Sequence, residues 1–196
     1  MPRTDLLELT LGGRATTTAS EECSRRTAEH ALRVMEHAVR LAEALDLTPS
    51  FVSALRAASR LHDIGKTAVP ARILNKTEPL TASEWDLIRL HPRIGAGLAE
   101  HSGYGPDVAS MIEHHHEHWA GGGYPGGLRG DEIPLGSRII AVADVFDALT
   151  SPRSYCAALQ VEHALAVMHA EAGIILDPNL FAIFERQITR GVLLAS

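Results

Sequence analysis

The spacing of apolar residues constrains the fold of this chain more than any other feature. In the segment 28–45, apolar side chains stand at positions 31, 34, 35, 38, 41, 42 and 45, the spacing of one helical face. No alternation of strands and helices and no internal repeat is visible, so the sequence predicts an all-α helical bundle. Further helix starts are indicated at Thr48-Pro49, at the capping box Thr81 to Glu84, at Gly105-Pro106 and at Asp177-Pro178.

Two stretches need separate interpretation. The run "PLGSRIIAVADVFDALTS" at 134–151 favours a helix, although its part "RIIAVADVF" would also suit a strand. Prolines and glycines cluster at 121–136 and predict the longest loop. Residues 1–20 are weakly patterned and are interpreted as a flexible N-terminal arm, with one domain over residues 21–196.

Composition narrows the class of function. A net charge of -6 and a pI near 6.0 argue against a DNA-binding protein and against a polybasic membrane surface. No segment has the roughly 18 apolar residues of a membrane span, and no basic leader precedes an apolar run, so we expect a cytoplasmic location. Cys23 and Cys156 are far apart, which disfavours a disulfide framework and a thiolate zinc site.

Histidines are unusually frequent, with 11 in the chain, and three of them open the stretch "HHHEHWAGGGYPGG" at 114–127. Several histidines and aspartates interrupt or follow apolar helical stretches, where an unpartnered polar side chain would be costly to bury. Hydrogen-bonded core histidines or a solvated helix end could explain each one singly, but a shared metal site would satisfy all of them. The candidate metal ligands are His30, His62, Asp63, His91, His115, His116 and Asp144.

This mixed set of imidazoles and carboxylates suits two divalent transition metals, with iron, manganese, zinc and nickel all compatible and calcium disfavoured. Seven donors are too many for one ion with an open position, and Asp63 is the expected bridge because His62 beside it is also a candidate ligand. Two such metals, about 3.5–4 Å apart, clamp an in-line displacement at phosphorus. The expected nucleophile is a hydroxide that bridges the two metals.

The order and spacing of several motifs resemble the HD-GYP family, a branch of the HD-domain metal-dependent phosphohydrolases. The matching segments are "HALR" at 30–33, "LHDIGKTAVP" at 61–70, "ILNK" at 73–76, "HPRIG" at 91–95, "HHE" at 115–117, "GYPGGLRGDEIP" at 123–134, "ADVFDALTS" at 143–151 and "DP" at 177–178. The resemblance implies an HD-domain helical bundle with an HD-GYP C-terminal extension. It also implies hydrolysis of the 3′–5′ phosphodiester bonds of cyclic di-GMP to pGpG, in some members to GMP.

Carried over by motif, the resemblance implies the same seven metal ligands, with iron or manganese most frequent. It implies that Lys66 faces the substrate phosphate and shares the catalytic role with Asp63. Arg153 and the loop residues Gly123, Tyr124 and Pro125 would contact the substrate.

The chain departs from the family pattern at four places. Arg26 stands where many members carry a glutamate that binds a third metal, so we expect two metals. Ala120 replaces the aspartate of "DGxGYP", and Cys156 in "RSYC" replaces a second basic residue. The fourth change, "LDP" for "FDP" at 176–178, is conservative. Loss of one charge-assisted contact, worth about 1.5–3 kcal/mol, would weaken substrate binding or shift the preference to another cyclic dinucleotide.

Two other functions stay open at this point. The chain could be a catalytically weak or inactive module that binds a cyclic dinucleotide or a diguanylate cyclase (GGDEF-domain) partner, and a homodimer is compatible with either reading. A mixed-valent diiron oxygenase is the third hypothesis, and the "GYP" segment at 123–125 speaks against it.

Overall fold

The structure is a computed structural model that describes residues 17–152 and 158–195, with side chains over 27–152 and 158–191. Within these ranges the backbone forms helices and loops, apart from an isolated bridge between Ala172 and Leu176. The all-α prediction is therefore confirmed. The helices are α1 (Thr17–Ala44), α2 (Pro49–Leu61), α3 (Ala71–Leu74), α4 (Ala82–Ile88), α5 (His91–His101), α6 (Pro106–Glu113), α7 (Leu135–Thr150), α8 (Val161–Glu171) and α9 (Pro178–Ala195), with short 3-10 helices at Ile64–Ala68 and Gly130–Glu132.

The helix starts follow the signals in the sequence. The Thr48 hydroxyl accepts a hydrogen bond from the Phe51 amide at 3.3 Å and caps α2. The capping box at the start of α4 is present in both directions between Thr81 and Glu84. Helix α6 begins at Pro106, and helix α9 begins at Pro178. These local predictions are confirmed because each depends on a capping hydrogen bond or on a proline within the first turn.

The centre of the bundle is α7, which packs between α1, α6, α8 and α9. The segment 135–150 is helical, and its interpretation as a strand is excluded. Most of its side chains are buried, including Ile139, Ile140 and Val142. A helix that is covered on most of its surface lacks a clear polar face, which is why its sequence also suited a strand.

The apolar face predicted for the first helix packs against this central helix. Val34, Ala38, Leu41 and Ala42 are fully buried. Helix α1 begins at Thr17, whereas residues 1–16 lie outside the described part, so the flexible arm over 1–20 and the domain boundary at 21 stay predictions. The C-terminal extension also stays a prediction. In the described part, no helix is both long and apolar enough to cross a membrane.

Candidate metal centre

Five segments bring the predicted metal ligands to one place inside the bundle. His30 lies on α1, and Asp144 lies at the middle of α7. Four histidines and one aspartate sit where a helix ends or begins, so that their side chains turn inward from the ends of α2, α5 and α6. Every one of the seven side chains is buried or nearly so: His30, His62, Asp63, His91, His115, His116 and Asp144.

Their donor atoms form two groups, and within each group the atoms lie within 4.8 Å of one another. In the three-residue group, His30 Nε2 lies 3.3 Å from Asp144 Oδ1, and His62 Nε2 lies 4.0 Å from the same oxygen. The four-residue group consists of Asp63, His91, His115 and His116.

Asp63 reaches towards both groups with its two carboxylate oxygens. Its Oδ1 lies 3.3 Å from His91 Nε2, and its Oδ2 lies 3.5 Å from His62 Nε2. Lys66 Nζ donates a hydrogen bond to Oδ2 at 2.7 Å. One carboxylate thus stands between two sets of imidazoles, the placement that a bridging ligand requires.

Three of the histidines are oriented by the helix that precedes them. In each, Nδ1 donates a hydrogen bond to the backbone carbonyl three residues earlier, because a carbonyl oxygen can only accept. The hydrogen is thereby placed on Nδ1, and the lone pair of Nε2 faces the centre. The pairs are His62 with Ser59 at 2.7 Å, His91 with Ile88 at 2.8 Å, and His115 with Ile112 at 2.6 Å.

Five buried nitrogen and oxygen atoms that face the centre, each a potential metal ligand, have no hydrogen-bond partner among the described residues. They are Nε2 of His62, His91 and His115, and Oδ1 of Asp63 and Asp144. A buried polar atom without a partner costs about 1–3 kcal/mol, so five in one place need a common explanation. Divalent cations would satisfy them together, and lone pairs of imidazole and carboxylate fit transition metals. The residues present therefore fit the metals that the sequence predicts.

The protonation of the histidines suits the same role. Burial lowers the pKa of His115 to about 3, and burial also lowers the pKa of His62 and of His116. These imidazoles are neutral near pH 7, as metal ligands must be. His30 differs: burial opposes its charge, but the neighbouring carboxylates of Asp144 and Asp147 raise its pKa to about 9.

The carboxylates stay ionised. Burial alone would raise the pKa of Asp63, but Lys66, His62 and His91 together hold the pKa of Asp63 well below its usual range. For Asp144, burial is likewise outweighed, chiefly by the nearby imidazole of His30, and its pKa is lowered. Both groups are therefore anionic near pH 7, as carboxylate ligands of a metal must be.

The loop that carries "GYP" lies against this centre. The ring of Tyr124 is 4.9 Å from the ring of His116, tilted by 31°. Burial raises the pKa of the Tyr124 hydroxyl. Gly123 packs directly on the preceding backbone, because a Cβ there would stand 2.4 Å from the His118 amide nitrogen. Pro125 follows through a cis peptide bond.

Two further carboxylates, which were not among the predicted site residues, support the site through hydrogen bonds. The carboxylate of Glu117 is buried and accepts hydrogen bonds from the amides of Gly126 and Leu128, which ties the loop to the end of α6. Asp147 accepts from His30 and from Arg33. The signal for Asp147 was its place on α7 one turn after Asp144, on the same helix face.

Glycine at position 65 allows two ligand-bearing segments to meet. A Cβ on Gly65 would lie 2.0 Å from the His91 carbonyl oxygen and 2.6 Å from the Gly95 nitrogen. The 3-10 helix after Asp63 can therefore approach the first turn of α5 closely only because residue 65 has no side chain. This contact places Asp63 and His91 side by side.

Some predicted positions cannot be placed. Arg153 and Cys156 lie outside the described residues, and the side chain of Arg26 is outside the described part of α1. Ala120 is exposed in the loop.

An all-helical bundle whose imidazoles and carboxylates point into a common interior space fits the class of metal-binding helical domains. Comparison with known families makes this class specific: residues 14–180 match the family model for the HD domain. The chain therefore belongs to the HD domain family, and its motifs and relatives place it in the HD-GYP branch.

Among its relatives, the cyclic di-GMP phosphodiesterase response regulator RpfG of Xanthomonas campestris is 44% identical over 149 residues, which cover 75% of this chain and 39% of RpfG. The 3′3′-cGAMP-specific phosphodiesterase 2 of Vibrio cholerae is 38% identical over 167 residues, covering 83% of this chain and 31% of the relative. The chain thus spans less than half the length of these curated relatives.

A similar solved structure is the cyclic GMP-AMP-specific phosphodiesterase V-cGAP3 of Vibrio cholerae. It superimposes with a TM-score of 0.67 at 23% identity, covering 85% of this chain and 45% of the other. At this level of identity the likeness supports the helical fold alone.

Proposed function

We propose that this chain hydrolyses the 3′–5′ phosphodiester bonds of cyclic di-GMP to the linear dinucleotide pGpG, with GMP as a further product. The observation that carries the proposal is the set of five buried, unpartnered donor atoms that converge next to Lys66. Relatives at 44% and 38% identity bear names of cyclic dinucleotide phosphodiesterases, which supports the same substrate class.

The site would hold two divalent metals, of which iron and manganese are expected before zinc and nickel. When bound, they would act as Lewis acids on the phosphate oxygens and lower the pKa of water to near neutrality. His30, His62 and Asp144 would hold one of them, and His91, His115 and His116 the other. Asp63 would be shared between the two. Asp147 and three backbone carbonyls would keep the imidazoles in the tautomer that presents Nε2.

The other residues of the site would bind and orient the substrate. Lys66 brings a positive charge beside Asp63, from which it can donate a hydrogen bond to an oxygen of the scissile phosphate. Tyr124, on the His116 ring, covers that side of the site and excludes water from it. Charge placed in advance where negative charge develops is the main source of rate enhancement in such sites.

The test combines metal analysis with product analysis. Protein purified without oxygen is analysed for bound metals, loaded with Fe²⁺ or Mn²⁺, and incubated with cyclic di-GMP or 3′3′-cGAMP, and the products are separated by chromatography. We expect about two metals per chain and linear products. The Asp63→Asn variant should lose activity, whereas His101→Ala, at the exposed end of α5, should keep it.

A chain without bound transition metal, or one that yields no linear product with any metal, would contradict the proposal. Tight binding of cyclic dinucleotide without turnover would instead favour the inactive signalling module. Preference for 3′3′-cGAMP would change the substrate and keep the chemistry. A GGDEF-domain partner, a homodimer and a cytoplasmic location stay predictions.

A further inference from the structure

Arg89 lies beside the candidate metal centre and has no assigned role. It follows the last residue of α4, and its side chain is exposed. Its guanidinium carbon lies 5.8 Å from the centre of the Tyr124 ring. Within residues 27–152 and 158–191 this ring is the contact that the guanidinium makes, and no carboxylate comes within ion-pair distance of it.

Tyr124 links this arginine to the metal centre. Arg89 contacts the Tyr124 ring, and the Tyr124 ring in turn lies 4.9 Å from the ring of His116. His91 is also near, with 6.5 Å between its ring centre and that of Tyr124. Arg89 therefore stands about one aromatic ring outside the predicted ligands.

The centre already contains one cation for the substrate, Lys66, which is 2.7 Å from Asp63. A cyclic dinucleotide carries two phosphodiesters on opposite sides of its ring. When one phosphate is at the metal centre for cleavage, the other lies outside it and still carries a full negative charge. A second cation at some distance from the first matches this distribution of charge.

We propose that Arg89 binds the second, non-scissile phosphate of the cyclic dinucleotide, an inference that rests on the proposed function. A cation–π contact positions the side chain without using its N–H groups, so these donors stay available for an anion. The planar guanidinium suits the two oxygens of a phosphate better than an ammonium does. Arg89 would then supply a charge of the kind that is missing at Cys156.

The experiment compares a substrate with two phosphates and one with a single phosphate. KM and kcat are measured for cyclic di-GMP and for bis(p-nitrophenyl) phosphate with the metal-loaded protein and its Arg89→Ala and Arg89→Lys variants. For cyclic di-GMP we expect Arg89→Ala to raise KM roughly tenfold or more, with kcat within about threefold. Arg89→Lys should fall between, because it keeps the charge and loses the paired donors.

The matched control is Arg93→Ala, four residues further along. Arg93 is an exposed arginine whose nearest carboxylate is Glu113, at 3.5 Å, and its loss should leave KM for both substrates at the wild-type value. The increase in KM for bis(p-nitrophenyl) phosphate in Arg89→Ala should be at least about fivefold smaller than that for cyclic di-GMP. Thermal unfolding of each variant checks that the fold is kept.

The outcomes separate this inference from the function on which it rests. If the wild-type protein cleaves neither substrate, the proposed function fails and takes the inference with it. If the wild type is active and Arg89→Ala has the wild-type KM for cyclic di-GMP, the inference alone is wrong. Equal losses on both substrates would also overturn it, because they would mean that Arg89 only supports the Tyr124 ring.

Discussion

The Nδ1 atom of His30 lies 2.7 Å from Oδ2 of Asp147, and this pair joins α1 to α7 at the metal centre. The other carboxylate oxygen accepts hydrogen bonds from Arg33 and from Ser151, the latter at 3.0 Å. His30 is thus oriented by a carboxylate, whereas His62, for example, is oriented by a backbone carbonyl. A carboxylate behind an imidazole increases its basicity and hence its strength as a ligand.

The first prediction concerns this pair. Asp147→Asn keeps the shape of the side chain but removes its charge, so His30 should hold metal less well. We expect metal affinity at the position formed by His30, His62 and Asp144 to fall by about 10–100-fold. A calorimetric titration with Mn²⁺ should show one class of metal sites with weakened affinity and one with unchanged affinity.

The control for Asp147→Asn is Asp86→Asn, an exposed aspartate on α4, which should bind metal as the wild type does. Two classes of sites with wild-type affinity in the Asp147→Asn protein would show that this carboxylate does not support the ligand.

Local and distant features of the molecule differed in how far the sequence could predict them. Helix starts such as Thr48 and the capping box at Thr81 depend on neighbours within one turn, so their patterns were sufficient. The helical state of 135–150 was ambiguous, because burial by other helices removes the polar face on which a periodicity argument depends. That burial is a property of the whole bundle.

The same division applies to the candidate site. The ligand types could be chosen because each interrupts an apolar stretch, and the structure brings all seven together, although their metal binding stays a prediction. The supports behind them could not be chosen. Glu117 differs from other acidic residues only through the loop amides that approach it in three dimensions. Asp147 has a sequence signal in its place one turn after Asp144, but its role as a support follows only from its contacts with His30 and Arg33.

The second prediction is a proton released on metal binding. In the metal-free protein the pKa of His30 is about 9, so this side chain is protonated at neutral pH and must lose its proton to bind metal. We expect release of about one proton per metal-loaded chain near pH 7.5 and an affinity that rises with pH up to about 9. His115, whose pKa is about 3, is already neutral at this pH and releases no proton when it binds metal.

Calorimetry in buffers with different ionisation enthalpies measures the number of protons released.

The raised pKa of His30 also affects the stability of the metal-free protein. Because the folded pKa lies above the usual 6.5, the contribution of His30 to the free energy of unfolding is full below pH 6.5 and is lost as pH rises through 9. Metal binding that releases no proton between these values would contradict the prediction.

The third prediction concerns the anchor of the loop. Glu117→Ala removes the acceptor for the amides of Gly126 and Leu128 and leaves both without their partner. We expect a loss of about 1–3 kcal/mol in the free energy of unfolding and faster hydrogen exchange at these two amides. Hydrogen exchange followed by NMR measures the local effect.

Glu100→Ala, on the exposed side of α5, is the control for Glu117→Ala and should change neither stability nor exchange at 126 and 128. If Glu117→Ala left exchange at both amides unaltered, the carboxylate would not be what holds the loop.

The last prediction uses two glycines that differ in their surroundings. Gly65→Ala places a methyl group 2.0 Å from the His91 carbonyl oxygen, so the backbone of the 3-10 helix or of α5 must shift. We expect a loss of about 3 kcal/mol or more in the free energy of unfolding, because neither neighbouring backbone can yield easily. Metal binding should weaken as well, since Asp63 and His91 would move apart.

Gly97→Ala is the matched control for Gly65→Ala. Gly97 lies on α5 with nothing within 4 Å of its Cβ position, and alanine there should stabilise the helix by about 0.5–1 kcal/mol. Urea unfolding of both variants checks the pair, and equal stability of the two would refute the close approach at Gly65.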